Sequence, residues 1–182
     1  KLEQGWEFFK FRTSDKPYYR FVTDSKESIR LQFYSNEYFN SNKSSLEYTV
    51  EDASALVKLM PNTTYYLSVY GKPGSTVEIQ AISGIEKIQV MNKGQEELFV
   101  GEAIEQSIIE EYYYAAQLKI TDTDGNSWTE IYNPYISGGA ISVGLEQQAG
   151  AENAGECKAW VEYCDKKIIE TIPIVKIQES KN

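Results

Sequence analysis

The feature that most constrains this fold is a two-residue alternation of apolar and polar side chains, which is clearest in residues 59 to 81. A turn at residues 72 to 75 divides this stretch into two alternating segments. Their predicted inward residues are Tyr65, Leu67, Val69, Val77 and Ile79. Because side chains of a β-strand point to opposite faces in turn, the pattern predicts a β-hairpin with one face in a hydrophobic core.

The same alternation recurs along the chain, separated by polar turns. Before residue 59, the predicted elements are strands at 7 to 12, 18 to 23 and 29 to 35, a loop at 36 to 45, and a strand from 55. After residue 84, they are strands at 85 to 90, 98 to 102, 110 to 121, 127 to 131, 141 to 145, 158 to 163 and 168 to 177. Strands at this spacing predict an all-β protein with two consecutive antiparallel β-sandwich domains, residues 1–83 and 84–182.

The charge balance excludes two classes of partner. The chain of 182 residues carries 18 Lys and Arg against 27 Asp and Glu, a formal net charge of −9. We therefore expect no binding to nucleic acid or to anionic lipid. No run of 18 apolar residues occurs, so we expect no membrane insertion.

The first residues, Lys1 to Trp6, lack the apolar core of a signal peptide, and we expect a processed piece of a larger multidomain chain.

Missing residue types also limit catalysis. Histidine is absent, which removes imidazole as a base or metal ligand, and no glycine-rich phosphate loop is found. A carboxylate pair of the glycosidase kind stays possible. The acids on predicted strands are scattered over both domains: Glu78, Glu130, Glu162 and Glu170. We therefore expect no enzyme and no cofactor, and we keep a small β-sandwich glycoside hydrolase as the less favoured alternative.

One segment offers a weak alternative for calcium. Asp122, Asp124 and Asn126 present oxygen ligands at alternate positions, as hard cations prefer. No glutamate follows at the spacing of a calcium loop, and a glycine-containing hairpin turn explains the same residues more simply.

The two cysteines are seven residues apart. If Cys157 and Cys164 lie on one strand, their Cα atoms are about 23 Å apart, beyond the ~7 Å that a disulfide can bridge. We therefore do not expect an intrachain disulfide.

The outward tyrosines are the one positive functional signal. If Tyr65, Leu67 and Val69 are in the core, then Tyr66 and Tyr70 face outward. On a neighbouring predicted strand, the outward residues are Arg30, Gln32 and Tyr34. Exposed tyrosines suit stacking on sugars or packing on an extended protein, although they also serve simply to cover a sheet edge or a second domain.

Three segments carry a family resemblance over residues 1–83. They are Trp6-Glu7-Phe8-Phe9-Lys10-Phe11, the strand from Ile29 to Tyr34, and Thr63-Thr64-Tyr65-Tyr66-Leu67-Ser68-Val69 with the strand after it. Together they resemble the bacterial pre-peptidase C-terminal domain, which includes jelly-roll modules similar to the collagen-binding domains of secreted clostridial collagenases. The resemblance implies a jelly-roll-like first sandwich. The acidic segments of calcium-binding members are missing here, so calcium binding is not implied.

The second half is similar to a bacterial immunoglobulin-like domain. The similarity rests on a short strand at residues 85 to 90, the segment Leu98-Phe99-Val100-Gly101-Glu102, and strand spacing up to residue 182. The cysteine pair of antibody domains is not matched.

These resemblances imply a non-catalytic module of a secreted or cell-surface bacterial protein. The first domain would bind an extracellular protein or polysaccharide through Tyr34, Tyr66, Tyr70, Arg30 and Gln32, and the second would act as a spacer. The alternatives are a purely structural spacer and the glycoside hydrolase described above.

Overall fold

The computed structural model describes residues 1–25, 27, 29–34, 42–48, 55–99, 104–135, 140–147 and 155–175. Within these ranges the chain forms β-strands and one short helix, which confirms the predicted all-β class. The elements are β1 Trp6–Arg12, β2 Tyr18–Thr23, β3 Ile29–Tyr34, β4 Asn42–Tyr48, β5 Ala55–Lys58, β6 Thr64–Tyr70, β7 Val77–Ile82, β8 Ile85–Asn92, β9 Leu98–Phe99, α1 Gln106–Tyr112, β10 Gln117–Asp122, β11 Ser127–Ile131, β12 Ile141–Gln147, β13 Gly155–Tyr163 and β14 Lys166–Val175.

The chain divides into two compact units. The first contains Lys1–Gly84 together with Asp122–Asn126 and Tyr135–Ala140. The second contains Ile85–Thr121, Ser127–Pro134 and Ile141–Asn182. The assignment of the two halves to jelly-roll-like and immunoglobulin-like domains stays a prediction.

The first unit has two antiparallel sheets. One has the strand order β1-β6-β3-β4 and the other β5-β2-β7. Buried residues from both sheets and from the segments beside them form one hydrophobic core: Leu2, Tyr19, Phe21, Ile29, Leu31, Phe33, Val57, Leu59, Leu67 and Val69. The apolar residues of the alternating strands therefore meet between two sheets, as a sandwich requires.

The predicted hairpin between β6 and β7 is wrong. β6 pairs with β1 and β3, whereas β7 pairs with β2 in the other sheet. The turn at residues 72 to 75 is present, with Gly74 at φ +89°, but it carries the chain from one sheet to the other. Alternation shows which side chains face the core and does not show which strand lies alongside. Ile79, predicted as core, is 39% exposed because β7 is an edge strand.

The second unit also contains two sheets, with strand orders β8-β10-β11 and β12-β13-β14-β9. β10 and β11 form an antiparallel hairpin, as do β13 and β14, while β9 lies parallel to β14. The turn predicted at residues 122 to 126 joins β10 to β11, as expected. No helix in the described part of the chain is long and apolar enough to cross a membrane.

Two element predictions need correction. Residues 110 to 121 are not one strand, because α1 occupies Gln106–Tyr112 and β10 begins at Gln117. The helix buries Ile109 and Tyr112, which are one turn apart, and Tyr113 is buried while Tyr114 is exposed.

The predicted loop at 36 to 45 contains the start of β4, a mostly polar strand at the edge of its sheet. Residues 35 to 41, 100 to 102 and 176 to 177 lie outside the described ranges.

Both cysteines are free. Cys157 is buried within β13, and Cys164 lies in the turn between β13 and β14. The segment is thus one strand up to Tyr163, as the distance argument assumed.

Candidate ligand-binding face

The strand register brings the five predicted binding residues to one face of one sheet. In the antiparallel pair of β3 and β6, Arg30 is opposite Tyr70 and Tyr34 is opposite Tyr66. Gln32 is opposite Ser68, between these two pairs. On the other parity of both strands, Leu31, Phe33, Leu67 and Val69 are buried and Tyr65 is partly buried. The predicted set is therefore a continuous patch and not a scatter of separate residues.

β1 extends this patch with residues that the sequence analysis did not select. Trp6 is opposite Tyr70, Phe8 is opposite Ser68, and Lys10 is opposite Tyr66. We call the combined surface the outward face. It consists of Trp6, Phe8, Lys10, Arg12, Thr64, Tyr66, Ser68, Tyr70, Arg30, Gln32 and Tyr34. Parity in β1 could have found its members, because placing Phe9 and Phe11 inward leaves the even-numbered residues facing outward.

Three exposed aromatic rings lie next to each other on the outward face. Trp6 is 41% exposed, Phe8 is 57% exposed and Tyr70 is 45% exposed. The ring centroids of Trp6 and Phe8 are 6.4 Å apart with planes inclined by only 14°. Those of Trp6 and Tyr70 are 4.9 Å apart at 47°. We call these three residues the aromatic platform. Their mutual contacts limit ring rotation, so a ligand would meet a surface that is already ordered.

Polar groups occupy the middle of the outward face. The hydroxyl of Tyr34 donates a hydrogen bond of 2.7 Å to Oε1 of Gln32, and the hydroxyl of Ser68 donates one of 3.3 Å to the same oxygen. Ser68 is fully buried among these neighbours. The Gln32 amide is thus held in one orientation beside the platform, which suits a fixed hydrogen-bonding position.

Charge lies at the other end of β1. The ammonium nitrogen of Lys10 is 5.8 Å from the centroid of the Tyr66 ring, within cation–π range. Arg12 follows on the same side of the strand, and both side chains are exposed. The outward face therefore combines a flat apolar region with a cationic region.

The inner side of the same sheet explains its rigidity. Phe33 packs edge-on against Phe21 of the opposite sheet with centroids 5.9 Å apart, and against Tyr65 at 6.3 Å. Phe11 packs edge-on against Tyr19 at 5.9 Å and lies tilted against Tyr65 at 6.1 Å. Each strand that supports the outward face is consequently anchored by aromatic packing beneath it.

At the β10–β11 turn, the carboxylate oxygens considered as calcium ligands already take part in hydrogen bonds and an ion pair within the protein. Oδ1 of Asp122 accepts the backbone N–H groups of Asp124 and Asn126 at 2.9 and 2.8 Å, and Oδ2 accepts the Asn126 amide at 3.0 Å. Asp124 is paired with Lys16 at 2.8 Å and accepts the Ser83 hydroxyl at 2.7 Å. The lysine and this hydrogen bond hold the pKa of Asp124 below its ordinary value. In the described residues no three Asp, Glu, Cys or His side chains are placed to hold a metal ion.

The four strand acids considered for catalysis each have a structural partner. Glu78 accepts a hydrogen bond from Gln80, and Glu162 is 3.7 Å from Lys167. Glu170 accepts the Tyr113 hydroxyl at 2.7 Å, with Lys93 at 3.4 Å. Glu130 is 1% exposed and accepts hydrogen bonds of 3.0 Å from Trp128 and Tyr163. Buried or paired acids of this kind stabilise strand contacts.

Comparison with known proteins does not identify a relative of this chain. No protein-family model matches it, and no curated protein and no solved structure matches it either. The resemblances described from the sequence therefore remain predictions.

Proposed function

We propose that the first unit is a non-catalytic binding module of a secreted or cell-surface bacterial protein, and that it holds an extracellular polysaccharide on its outward face. The observation that carries this proposal is the aromatic platform, formed by the exposed rings of Trp6, Phe8 and Tyr70. Single exposed aromatic residues are common on protein surfaces, whereas a contiguous ordered group is less so. The resemblance of residues 1–83 to modules of secreted enzymes agrees with this role.

The chemistry of sugars fits this surface. The faces of a pyranose ring carry C–H groups and pack on flat aromatic rings, while the hydroxyls at its rim need hydrogen-bonding partners. The platform supplies the rings, and the partly exposed Gln32 amide and Tyr34 hydroxyl supply polar groups beside them. The buried Ser68 hydroxyl only holds the Gln32 amide in place. Since these side chains are held by one another, little conformational entropy is lost when a ligand is bound.

The experiment is affinity electrophoresis in gels that contain soluble polysaccharides, with Trp6→Ala and Tyr70→Ala as the test variants. The matched control is Tyr114→Ala, because Tyr114 is 44% exposed and lies in the second unit, whereas Tyr70 is 45% exposed. We expect each test variant to lose at least about tenfold in affinity, about 1.4 kcal/mol, and the control to keep it. Retention of both test variants equal to that of the parent would show that the platform is not the binding surface, whereas a parent protein that no polysaccharide retains would leave the alternative of a structural spacer.

A protein ligand and a catalytic role are separate outcomes of the same work. Binding to collagen-type or other matrix proteins that depends on Trp6, without binding to any polysaccharide, would replace the polysaccharide by a protein. Release of reducing ends from a bound polysaccharide would contradict the non-catalytic part of the proposal.

A further inference from the structure

We infer that the polysaccharide bound by the outward face is anionic, and that Lys10 and Arg12 bind its carboxylate or sulfate groups. This inference rests on the proposed function and narrows it to one class of polymer. It is carried by the charge pattern of the outward face and by the finding that, among the described residues, no carboxylate lies within 4 Å of Lys10 or Arg12.

The outward side of β1 has two chemically different halves. Trp6 and Phe8 are followed on the same side by Lys10 and Arg12. Alternate residues of a strand are about 6.6 Å apart, so the four side chains span about 20 Å in one line. That length accommodates several sugar units of an extended chain, with apolar stacking at one end and cationic contacts at the other.

The sign of the charge on the outward face is opposite to that of the chain. The whole chain has a formal net charge of −9. Among the described residues of β1, β6 and β3, the outward positions carry Lys10, Arg12 and Arg30 and no acid. Arg30 is opposite Glu47 of β4 in the strand register. The inference therefore depends on Lys10 and Arg12, which lie on β1 at the opposite edge of the sheet. A local excess of cations on an acidic protein favours an anionic ligand at that place.

Ion pairing separates these two cations from four other lysines of the described residues. Lys16, Lys72, Lys93 and Lys167 each lie within 4 Å of a carboxylate. In the described part of the chain, no carboxylate lies at that distance from Lys10 or Arg12. Lys10 instead lies over the Tyr66 ring, which keeps its ammonium group on the outward face. A ligand carboxylate or sulfate would therefore meet a cation whose charge is not already balanced by a neighbouring acid.

The test compares two polymers that share a backbone, polygalacturonate and highly methyl-esterified pectin, with dextran sulfate and dextran as a second pair. The test variants are Lys10→Gln and Arg12→Gln. The matched control is Lys58→Gln, because Lys58 lies 5.9 Å from the Tyr18 ring but in the other sheet of the same unit. Dissociation constants are measured by titration calorimetry at 0.05 M and 0.5 M NaCl.

We expect at least one charged polymer to bind at least about tenfold more tightly than its neutral counterpart, and the preference to shrink at the higher salt. Lys10→Gln and Arg12→Gln should each reduce this preference severalfold, while Lys58→Gln should leave it unchanged. Circular dichroism of each variant shows whether it is folded, and both test positions are exposed, so loss of the fold is not expected.

Four results would overturn the inference. Equal affinity for the charged and neutral polymers, with loss of binding in Trp6→Ala, would remove the anionic class and keep the proposed function. If Lys10→Gln and Arg12→Gln bind the charged polymers as tightly as the parent does, the anionic class is likewise removed and the proposed function is kept. Absence of binding to every charged polymer, or equal binding to duplex DNA, would contradict the inference that the ligand is an acidic polysaccharide.

Discussion

Gly144 lies directly beneath the indole ring of Trp160. The two residues are opposite each other in the pairing of β12 and β13. A Cβ atom at position 144 would lie 2.3 Å from the Trp160 ring, closer than any real contact. A glycine is therefore needed here for the approach of a side chain, and not for an unusual backbone angle.

We predict that Gly144→Ala lowers the free energy of unfolding by about 1 to 3 kcal/mol, because the indole must move away from the strand. Guanidinium unfolding followed by circular dichroism measures this change. Gly94→Ala is the control, since a Cβ atom there meets nothing within 4 Å. Adding Trp160→Val to Gly144→Ala should recover part of the loss. Equal stability of Gly144→Ala and Gly94→Ala would show that the ring is not confined.

Two neighbouring alanines after α1 should respond in opposite directions to glycine. Ala115 has φ +59° and is exposed, whereas Ala116 is fully buried and is not among the residues with positive φ. Ala115→Gly relieves a left-handed conformation that costs an alanine about 1 kcal/mol, offset in part by the greater freedom of the unfolded chain. Ala116→Gly removes a buried methyl group and increases the conformational freedom of the unfolded chain, so both effects are destabilising.

We therefore expect Ala115→Gly to raise the free energy of unfolding by a few tenths to about 1 kcal/mol, and Ala116→Gly to lower it by about 1 kcal/mol or more. Both values come from urea or guanidinium unfolding under identical conditions. A stabilised Ala116→Gly with a destabilised Ala115→Gly would contradict the backbone angles of this turn.

The β13–β14 hairpin controls the reactivity of both thiols. Burial raises the pKa of Cys164 to about 12, with smaller contributions from the charges of Asp165 and Glu130. Burial alone raises the pKa of Cys157. Since the thiolate is the reactive form, both cysteines should be poor nucleophiles near neutral pH while the hairpin is folded.

We predict that iodoacetamide at pH 8 modifies both thiols at least about tenfold more slowly in the native protein than in 6 M guanidinium, as measured by mass spectrometry. The unfolded chain serves as the control because it restores the ordinary pKa. Rapid native modification of Cys164 at pH 8 would contradict its raised pKa in this turn.

At the level of elements, the sequence predicts strands with core alternation well and other elements poorly. β2 and β11 have the predicted bounds, because each is a short run of strand-forming residues between clear turns. α1 was missed because the tyrosines at 112 and 114 imitate a two-residue period, although Ile109 and Tyr112 form a helical face. β4 was missed because its sequence, Asn42–Tyr48, is mostly polar and shows little apolar alternation.

Parity also explains how much of the outward face was predictable. It selected Arg30, Gln32, Tyr34, Tyr66 and Tyr70 correctly as members of one surface. It could not show that β1 lies beside β6, because that pairing joins residues about 60 positions apart in the chain. The aromatic platform depends on this long-range pairing and becomes visible only in the structure.

For the molecule as a whole, buried titratable groups are concentrated in the second unit. Burial is the largest cause in each case: it raises the pKa of Tyr132 to about 12, and it raises the pKa of Tyr113, whose hydroxyl also donates to Glu170. With Tyr112, Cys157 and Cys164, five groups in the described part of this unit have folded-state pKa values above their unfolded values.

We therefore predict that the second unit loses stability at alkaline pH. Between the ordinary pKa of a thiol or phenol and the raised folded value, the unfolded chain releases protons that the folded chain keeps. The contribution of these groups to the free energy of unfolding is complete below about pH 9 and falls as the pH rises towards about 12. Guanidinium unfolding at pH 8, 9, 10 and 11 measures this dependence, and Tyr132→Phe should make it less steep. A free energy of unfolding that does not change up to pH 11 would contradict the burial of these groups.

The most direct test of the central claim is the affinity of Trp6→Ala for a polysaccharide that the parent protein retains, measured beside Tyr114→Ala. If the outward face of the first unit is the binding surface, Trp6→Ala loses at least about tenfold in affinity while Tyr114→Ala equals the parent. Equal retention of Trp6→Ala, Tyr114→Ala and the parent would show that the aromatic platform does not bind the ligand.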